Sequence, residues 1–141
     1  MKILLAVDGS EYTRRMLSYL AAHKEALGGA RSTYTVFYAV LPVPPHAASF
    51  VNSATLHGYY EDEARKVLDP VRTLLAESGI EASFAHRAGP ADKEIAELAS
   101  KGGFDLVVMG SHGHGALGNL VLGSVATKVL ANCSVPVLLV R

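Results

Sequence analysis

The sequence predicts an α/β domain in which a largely parallel β-sheet is covered by a layer of helices on each face. Three observations carry this expectation. Short apolar runs alternate along the chain with longer stretches of helical spacing, the pattern of successive βαβ units. Half of the residues are apolar, ample for a core on both sides of a sheet. The 141 residues fit one domain, and no repeat, linker or low-complexity tract interrupts them.

The elements follow in the order β-α-β-α-β-α-β-α-β. Ile3 to Val7 is the first strand, and Ser10 is placed to N-cap a helix whose apolar side includes Met16, Leu17, Leu20 and Leu27. Gly28-Gly29 is expected to end it. The second strand runs from Tyr34 to Val40. Leu41-Pro42-Val43-Pro44-Pro45 cannot continue a ladder or enter a helix interior, so residues 41–56 are predicted to form a long loop, a lid over a site or a disordered segment. The second helix carries Ala64, Val67, Leu68, Val71 and Leu75 at spacings of three and four, with Pro70 inside the pattern as a source of a kink or a lost hydrogen bond. Tyr59-Tyr60 before Glu61-Asp62-Glu63 reads as its solvated entrance.

Glu81 to His86 alternates weakly as a third strand, and Gly89-Pro90 places a proline where a helix start tolerates it. The third helix carries Ile95, Ala96, Leu98 and Ala99. Phe104 to Met109 is dense in apolar residues, as a strand covered on both faces should be. The last helix starts near Ser124 with Val125, Val129 and Leu130 on its apolar side, and Pro136 introduces a closing strand, Val137 to Val140.

Charge narrows the partners. Thirteen basic residues balance thirteen acidic ones, so no whole-chain field draws the protein to nucleic acid or to an anionic membrane. The start, Met1-Lys2-Ile3-Leu4-Leu5-Ala6-Val7-Asp8, is too short in apolar residues for a signal-peptide core, and no run approaches the roughly 18 of a membrane span. The single cysteine, Cys133, forms no internal disulfide and suits a small core position. A cytoplasmic protein is expected.

The stretch richest in chemistry is 110–124, Gly110-Ser111-His112-Gly113-His114-Gly115-Ala116-Leu117-Gly118-Asn119-Leu120-Val121-Leu122-Gly123-Ser124. Glycines at this density serve turns, but they also let backbone N–H groups approach an anion, and a helix beginning near Ser124 aims its free amides at the same place. Between a buried strand and a helix, that describes a phosphate cradle. Two phosphate motifs are only partly present. Gly113-x-Gly115-x-x-Gly118 fits the dinucleotide fingerprint, yet the acidic residue about 20 positions on is missing. Gly118-x4-Gly123-Ser124 has serine where a P-loop carries its lysine, and Val125 where it carries serine or threonine.

A third pattern is complete. Gly110-x2-Gly113-x9-Gly123-Ser124, together with the start Ile3 to Ser10, the Gly89-Pro90 step, Asp105 to Gly113, and Ser134 to Val140, resembles the ATP-binding branch of the universal stress protein family from end to end. The resemblance implies a three-layer, Rossmann-like α/β/α fold with a five-stranded parallel sheet of order 3-2-1-4-5. In such a sheet ligands sit at the carboxyl ends of strands where the winding reverses, here between strands 1 and 4, where Asp8 and Gly110 lie. It further implies that Ala6, Val7 and Asp8 line the adenosine side, with Asp8 accepting from sugar or base, and that Ala39 and Met109 wall the adenine. Gly110, His112, Gly113 and His114 would approach ribose and phosphates. Gly123, Ser124, Val125 and Ala126 would hold the phosphate tail by backbone amides and the Ser124 hydroxyl. Asp8 also suits a helix entry beside Ser10, and Ser124 an N-cap. Ala126 lacks a hydroxyl that many relatives have, and Ala6 replaces a proline found in some.

The expected ligand is ATP, or ADP or AMP, and Mg²⁺ bridging the phosphates is compatible with it because that ion takes most of its ligands from phosphate and water. His112-x-His114 is too small a set for a structural zinc. Transfer of a phosphoryl group needs a cation on the developing charge, and the loop holds no lysine or arginine; Lys128, a turn into the last helix, is the nearest. Binding with slow or negligible turnover, in a regulatory stress-response role, is therefore expected, with no catalytic residue assigned. The alternatives are a slow ATPase or phosphotransferase and a nucleotide-free interaction module. The apolar closing strand, placed at a sheet edge, invites antiparallel pairing with a second copy, and the resemblance implies the same homodimer.

Overall fold

The computed structural model describes residues 1–115 and 119–141. Its elements are β1 (Lys2–Ala6), α1 (Glu11–His23), a 3-10 turn (Gly29–Arg31), β2 (Thr33–Val40), α2 (Pro45–Ala48), α3 (Ser53–Glu77), β3 (Ala82–Ala88), α4 (Ala91–Lys101), β4 (Leu106–Gly110), α5 (Ser124–Asn132) and β5 (Val137–Val140). The five strands pair in parallel in the order β3-β2-β1-β4-β5. The fold is thus the Rossmann-like three-layer arrangement that the resemblance implies.

Alternation along the strands divides the core. Ile3 and Leu5 of β1, with Val36 and Val40 of β2, pack under α1 (Met16, Leu17, Leu20) and α3 (Ala64, Leu68, Val71, Leu75). Leu4 and Ala6, with Phe37, Val107 and Met109, face the other way against Ile95 and Ala99 of α4 and Ala126 and Val129 of α5. One-residue alternation therefore supplies both helix layers from the same strands.

The closing strand has its predicted limits, and those of the other four differ from the predicted ones by at most two residues. The first helix ends at His23, not at Gly28-Gly29. The chain continues in turns, with the Leu27 N–H donating to the His23 carbonyl at 3.2 Å, until Gly28 at φ +97° reverses it. Leu27 still packs against the core. Ser10 occupies the N-cap position of α1, but its hydroxyl makes no capping bond.

The predicted 41–56 loop is shorter and more ordered. Proline at the first position of α2 starts one helical turn, and the Asn52 side chain accepts from the Thr55 N–H at 2.8 Å, so α3 begins at Ser53. Val43 N–H donates to the Tyr60 hydroxyl at 2.9 Å and ties the segment to α3. Pro70 does not end α3. It lies on the exposed side, where water can satisfy the carbonyl one turn back that its missing N–H leaves free.

The apolar side of α5 also differs. Ala126 and Val129 are buried, at 2% and 0% exposed, while Val125 and Leu130 are 37% and 45% exposed. With apolar residues around most of this nine-residue helix, periodicity selects no single face. Cys133 is partly buried against the second core cluster. Among the described residues, no helix is long and apolar enough to cross a membrane.

These burials separate two leucines. Leu20→Ala should cost about 2–5 kcal/mol, while Leu130→Ala should stay within about 0.5 kcal/mol, as read from urea denaturation midpoints.

Candidate functional site

The connections β1-β2-β3 wind one way along the sheet and β4-β5 the other, so the chain leaves the ends of the adjacent strands β1 and β4 in opposite directions. Ala6 pairs with Met109, which brings the residues after them to one level. A cavity of about 330 Å³ opens there.

Its lining contains every residue expected from the sequence. Ala6, Val7 and Asp8 come from the end of β1 and Ala39 from β2. Met109 and Gly110 end β4, His112, Gly113 and His114 follow it, and Gly123, Ser124, Val125 and Ala126 open α5. Thr13, Tyr38, Ala91, Ile95, Gly115 and Leu120 also line it and were not anticipated. Among the described residues, none of the 41–56 segment does, so its expected part as a lid finds no support. Gly118, common to both partial phosphate motifs, lies outside the described residues.

One half of the cavity is apolar. Ala6, Ala39, Ala91 and Ala126 are short side chains from four different elements, and the space between them is bounded by Met109 and Ile95 of the same core layer. Alanines at these converging strand and helix ends leave an apolar slot instead of a filled core. The slot has one polar feature built into its backbone. Phe37 turns its carbonyl toward β1, accepting from the Val7 N–H at 3.0 Å, and Val40 turns its carbonyl toward β3, accepting from the Gly89 N–H at 3.1 Å. By the two-residue alternation of a strand, the N–H and C=O of Ala39 face the β1 side, where β1 has already ended. Neither has a hydrogen-bond partner among the described residues.

The other half is polar and is organised by loop bonds. The Ser111 N–H donates to the Val140 carbonyl, and the Ser111 carbonyl accepts from the Gly123 N–H, both at 2.8 Å, closing the base of the loop. His112 Nε2 donates to the Leu120 carbonyl at 2.7 Å, a second rung, with Nδ1 2.8 Å from the Ser111 hydroxyl. His114 Nε2 donates to the Asp8 carbonyl at 2.8 Å and ties the loop to β1. Because a carbonyl only accepts, both rings carry a proton on Nε2. Both histidines thus have a structural task besides any contact with a ligand.

The glycines serve close approach in different ways. A Cβ on Gly110 would lie 2.6 Å from Tyr12 Cβ, and one on Gly123 3.0 Å from His112 Cα, so these two let protein segments pack. A Cβ on Gly113 would lie 2.5 Å from Asp8 Oδ2, inside the cavity. The Gly123 amide, expected to face a phosphate, is instead engaged by Ser111. Gly123 is also the N-cap of α5 and supplies no side-chain cap, which makes Ser124 the first helical residue and not the N-cap. The N–H groups of Ser124, Val125 and Ala126 have no hydrogen-bond partner among the described residues, and all three residues line the cavity.

Asp8 faces the same space. Its Oδ1 accepts from the Ser10 N–H at 2.9 Å and from the Thr13 hydroxyl at 3.0 Å, and its Oδ2 lies toward Gly113. Burial raises the Tyr38 phenol above its ordinary pKa, and the charges of Glu63 and Asp8 add to the effect, so Tyr38 stays a protonated donor at neutral pH. Among the described residues no lysine or arginine lines the cavity, and no group of three or more His, Cys, Asp or Glu is placed to hold a metal ion.

Comparison with known proteins agrees with this architecture. The sequence model of the universal stress protein family matches residues 1–141. A universal stress protein of Thermus aquaticus is 33% identical over 99% of this chain and 97% of its own length. A solved Methanocaldococcus jannaschii protein superposes with a TM-score of 0.80 at 26% identity, covering 99% of this chain and 94% of that one. The Archaeoglobus fulgidus universal stress protein, solved in complex with dAMP, shares the fold with a TM-score of 0.70 at 19% identity over 100% of this chain and 98% of that one. Two further solved members, one from Arabidopsis thaliana with AMP bound and one in complex with cAMP, share the fold at TM-scores of 0.69 and 0.67, with 12% and 20% identity. With the family model matching residues 1–141 and a relative 33% identical over nearly the whole of both chains, the chain belongs to the universal stress protein family.

Proposed function

We propose that this chain binds an adenine nucleotide, ATP in the first instance, at the β1/β4 crevice, and that it acts as a nucleotide-dependent regulatory protein and not through rapid turnover. The observation that carries the reading is the free amides of Ser124, Val125 and Ala126, a helix N-terminus opening onto an apolar slot. Those amides and the helix dipole suit a phosphate tail. Solved family members with dAMP, AMP and cAMP support an adenylate in such a fold.

The slot favours adenine over other purines. Ala39 offers a donor and an acceptor side by side, the complement of the adenine N1 acceptor and N6 amino donor. Hypoxanthine and guanine carry an O6 acceptor and an N1–H donor there, the reverse pattern. Asp8 Oδ2 suits the ribose hydroxyls, and the bare Gly113 leaves room for it. A Mg²⁺ ion in this setting would be held chiefly by phosphate oxygens and water.

Turnover is disfavoured by what the site lacks. The described cavity residues include no lysine or arginine to offset charge on a transferred phosphoryl group, and the Nε2 protons of His112 and His114 are engaged by carbonyls. The second part of the proposal is a homodimer through β5. Of the two sheet edges, β3 carries His86 and Arg87, whereas β5 is Val-Leu-Leu-Val with no charge. The carbonyls of Pro136 and Val140 point to β4, so the N–H and C=O of Val137 and Leu139 point outward.

Isothermal titration should give one ATP site per chain, with ITP on the order of tenfold weaker for its mismatched base edge. Gly113→Val should weaken ATP at least about tenfold by collision with Asp8; tight binding unchanged in that variant would remove the loop from the site. Followed over hours with Mg²⁺, ATP should be hydrolysed no faster than in buffer, and a clear rate that vanishes in His114→Ala would make the protein an ATPase. Sedimentation at micromolar concentration should give a dimer. Val137→Pro deletes one outward N–H at a position where proline is tolerated, the first residue of the strand, and should shift the chain toward monomer.

A further inference from the structure

We propose that Thr13 is a positioning residue for sugar recognition: its buried hydroxyl locks the Asp8 carboxylate so that Oδ2 is presented to the ribose diol of the bound nucleotide. This rests on the reading that an adenylate occupies the crevice with its ribose at Asp8.

A threonine hydroxyl has one proton to give and two lone pairs to share. Thr13 uses all three. It donates to Asp8 Oδ1 at 3.0 Å and accepts from the N–H groups of Asp8 at 3.1 Å and Gly9 at 3.2 Å. The side chain is 4% exposed, on the first turn of α1, and borders the cavity. The Ser10 N–H fills the remaining direction on Oδ1. One carboxylate oxygen therefore receives two donors while Oδ2, facing Gly113, receives none among the described residues. A carboxylate held this way cannot rotate its free oxygen out of the crevice without giving up both bonds on Oδ1.

The arrangement sets specificity as well as affinity. A carboxylate oxygen only accepts, so it rewards a sugar that brings hydroxyl protons and leaves a dideoxyribose with nothing to offer. Hydrogen bonds to a charged acceptor are among the stronger ones, and an unfixed carboxylate would lose part of that gain in ordering itself on binding. Ser10 cannot substitute for Thr13, because it reaches Asp8 through its backbone and its own hydroxyl has no partner.

The test compares AMP with 2′,3′-dideoxy-AMP by calorimetry on the intact protein. The unaltered chain should prefer AMP by about tenfold or more. Thr13→Val, nearly the same shape without the hydroxyl, should reduce the preference to within about threefold. It should do so while dideoxy-AMP binding stays close to its original value, which a general loss of folding would not allow. Thr13→Ser, which keeps the hydroxyl, should retain the full preference, and Thr13→Ala gives the same readout as valine where valine impairs folding. Full preference in the valine or alanine variant, or its loss in Thr13→Ser, would overturn the assignment to Thr13 alone. Equal binding of the two nucleotides by the unaltered chain would overturn the ribose reading at Asp8, and the role of Thr13 with it; no adenylate binding at all would overturn the proposed function from which both derive.

Discussion

The reversal of winding between β1 and β4 is the constraint on which the rest of this structure depends. Two adjacent parallel strands end at the same level, Ala6 beside Met109, and their continuations leave in opposite directions. Helices cannot cover that point from either side, so a crevice remains. Its two sides come from segments about a hundred residues apart in sequence, with β2 and α4 adding Tyr38, Ala39, Ala91 and Ile95. Asp8 arrives on one side, and the loop from Gly110 to Ser124 on the other. His114, donating to the Asp8 carbonyl, joins the two.

The loop shows how shape and ligand approach are divided among glycines that look alike in sequence. Gly110 and Gly123 are bare because Tyr12 of α1 and the His112 backbone come too close for a side chain. Their task is to let the loop fold back on itself, with the Ser111 and Gly123 backbones bonded at its base. Gly113 is bare toward the cavity, against a carboxylate. Once the loop is closed, α5 begins without a side-chain cap and with three amides directed at open space, an arrangement that costs stability unless water or an anion satisfies them.

On the proposed reading, the chemistry of the site is one of holding. Among the described residues its polar groups are backbone donors and a backbone acceptor, the Asp8 carboxylate, the Tyr38 phenol, the Thr13 and Ser124 hydroxyls, and two histidines whose Nε2 protons are engaged by carbonyls, and its apolar half is a slot between alanines. No lysine or arginine is among them. An anion would be met by fixed dipoles, which suit a bound polyphosphate and do little for a phosphoryl group in transfer. The proposed regulatory role rests on a site of this kind, and the proposed homodimer on the uncharged β5 edge.

Local periodicity was enough to read the alternation of strands and helices, because a parallel strand covered on both faces and a helix covered on one leave different apolar spacings. The Gly110-x2-Gly113-x9-Gly123-Ser124 pattern marked the loop, and the family resemblance carried the strand order and the cavity residues. Periodicity failed where a helix is short and apolar on several sides: nothing in Val125, Ala126, Val129 and Leu130 says which pair meets the sheet. It missed the start of α3 because proline nearby outweighed the Asn52 cap. Thr13 and Tyr38 gave no signal at all, the one a threonine on the first turn of α1 and the other one of three aromatics in β2. Likewise the free N–H and C=O of Ala39 exist only because β1 stops two residues too soon to pair with them. What the chain determines by itself is thus which faces are apolar and where turns are cheap, since these depend on neighbours in sequence. Which strand ends meet, which amides stay unpaired and which hydroxyl reaches a carboxylate were decided by tertiary pairing, because each needs a partner from a distant segment.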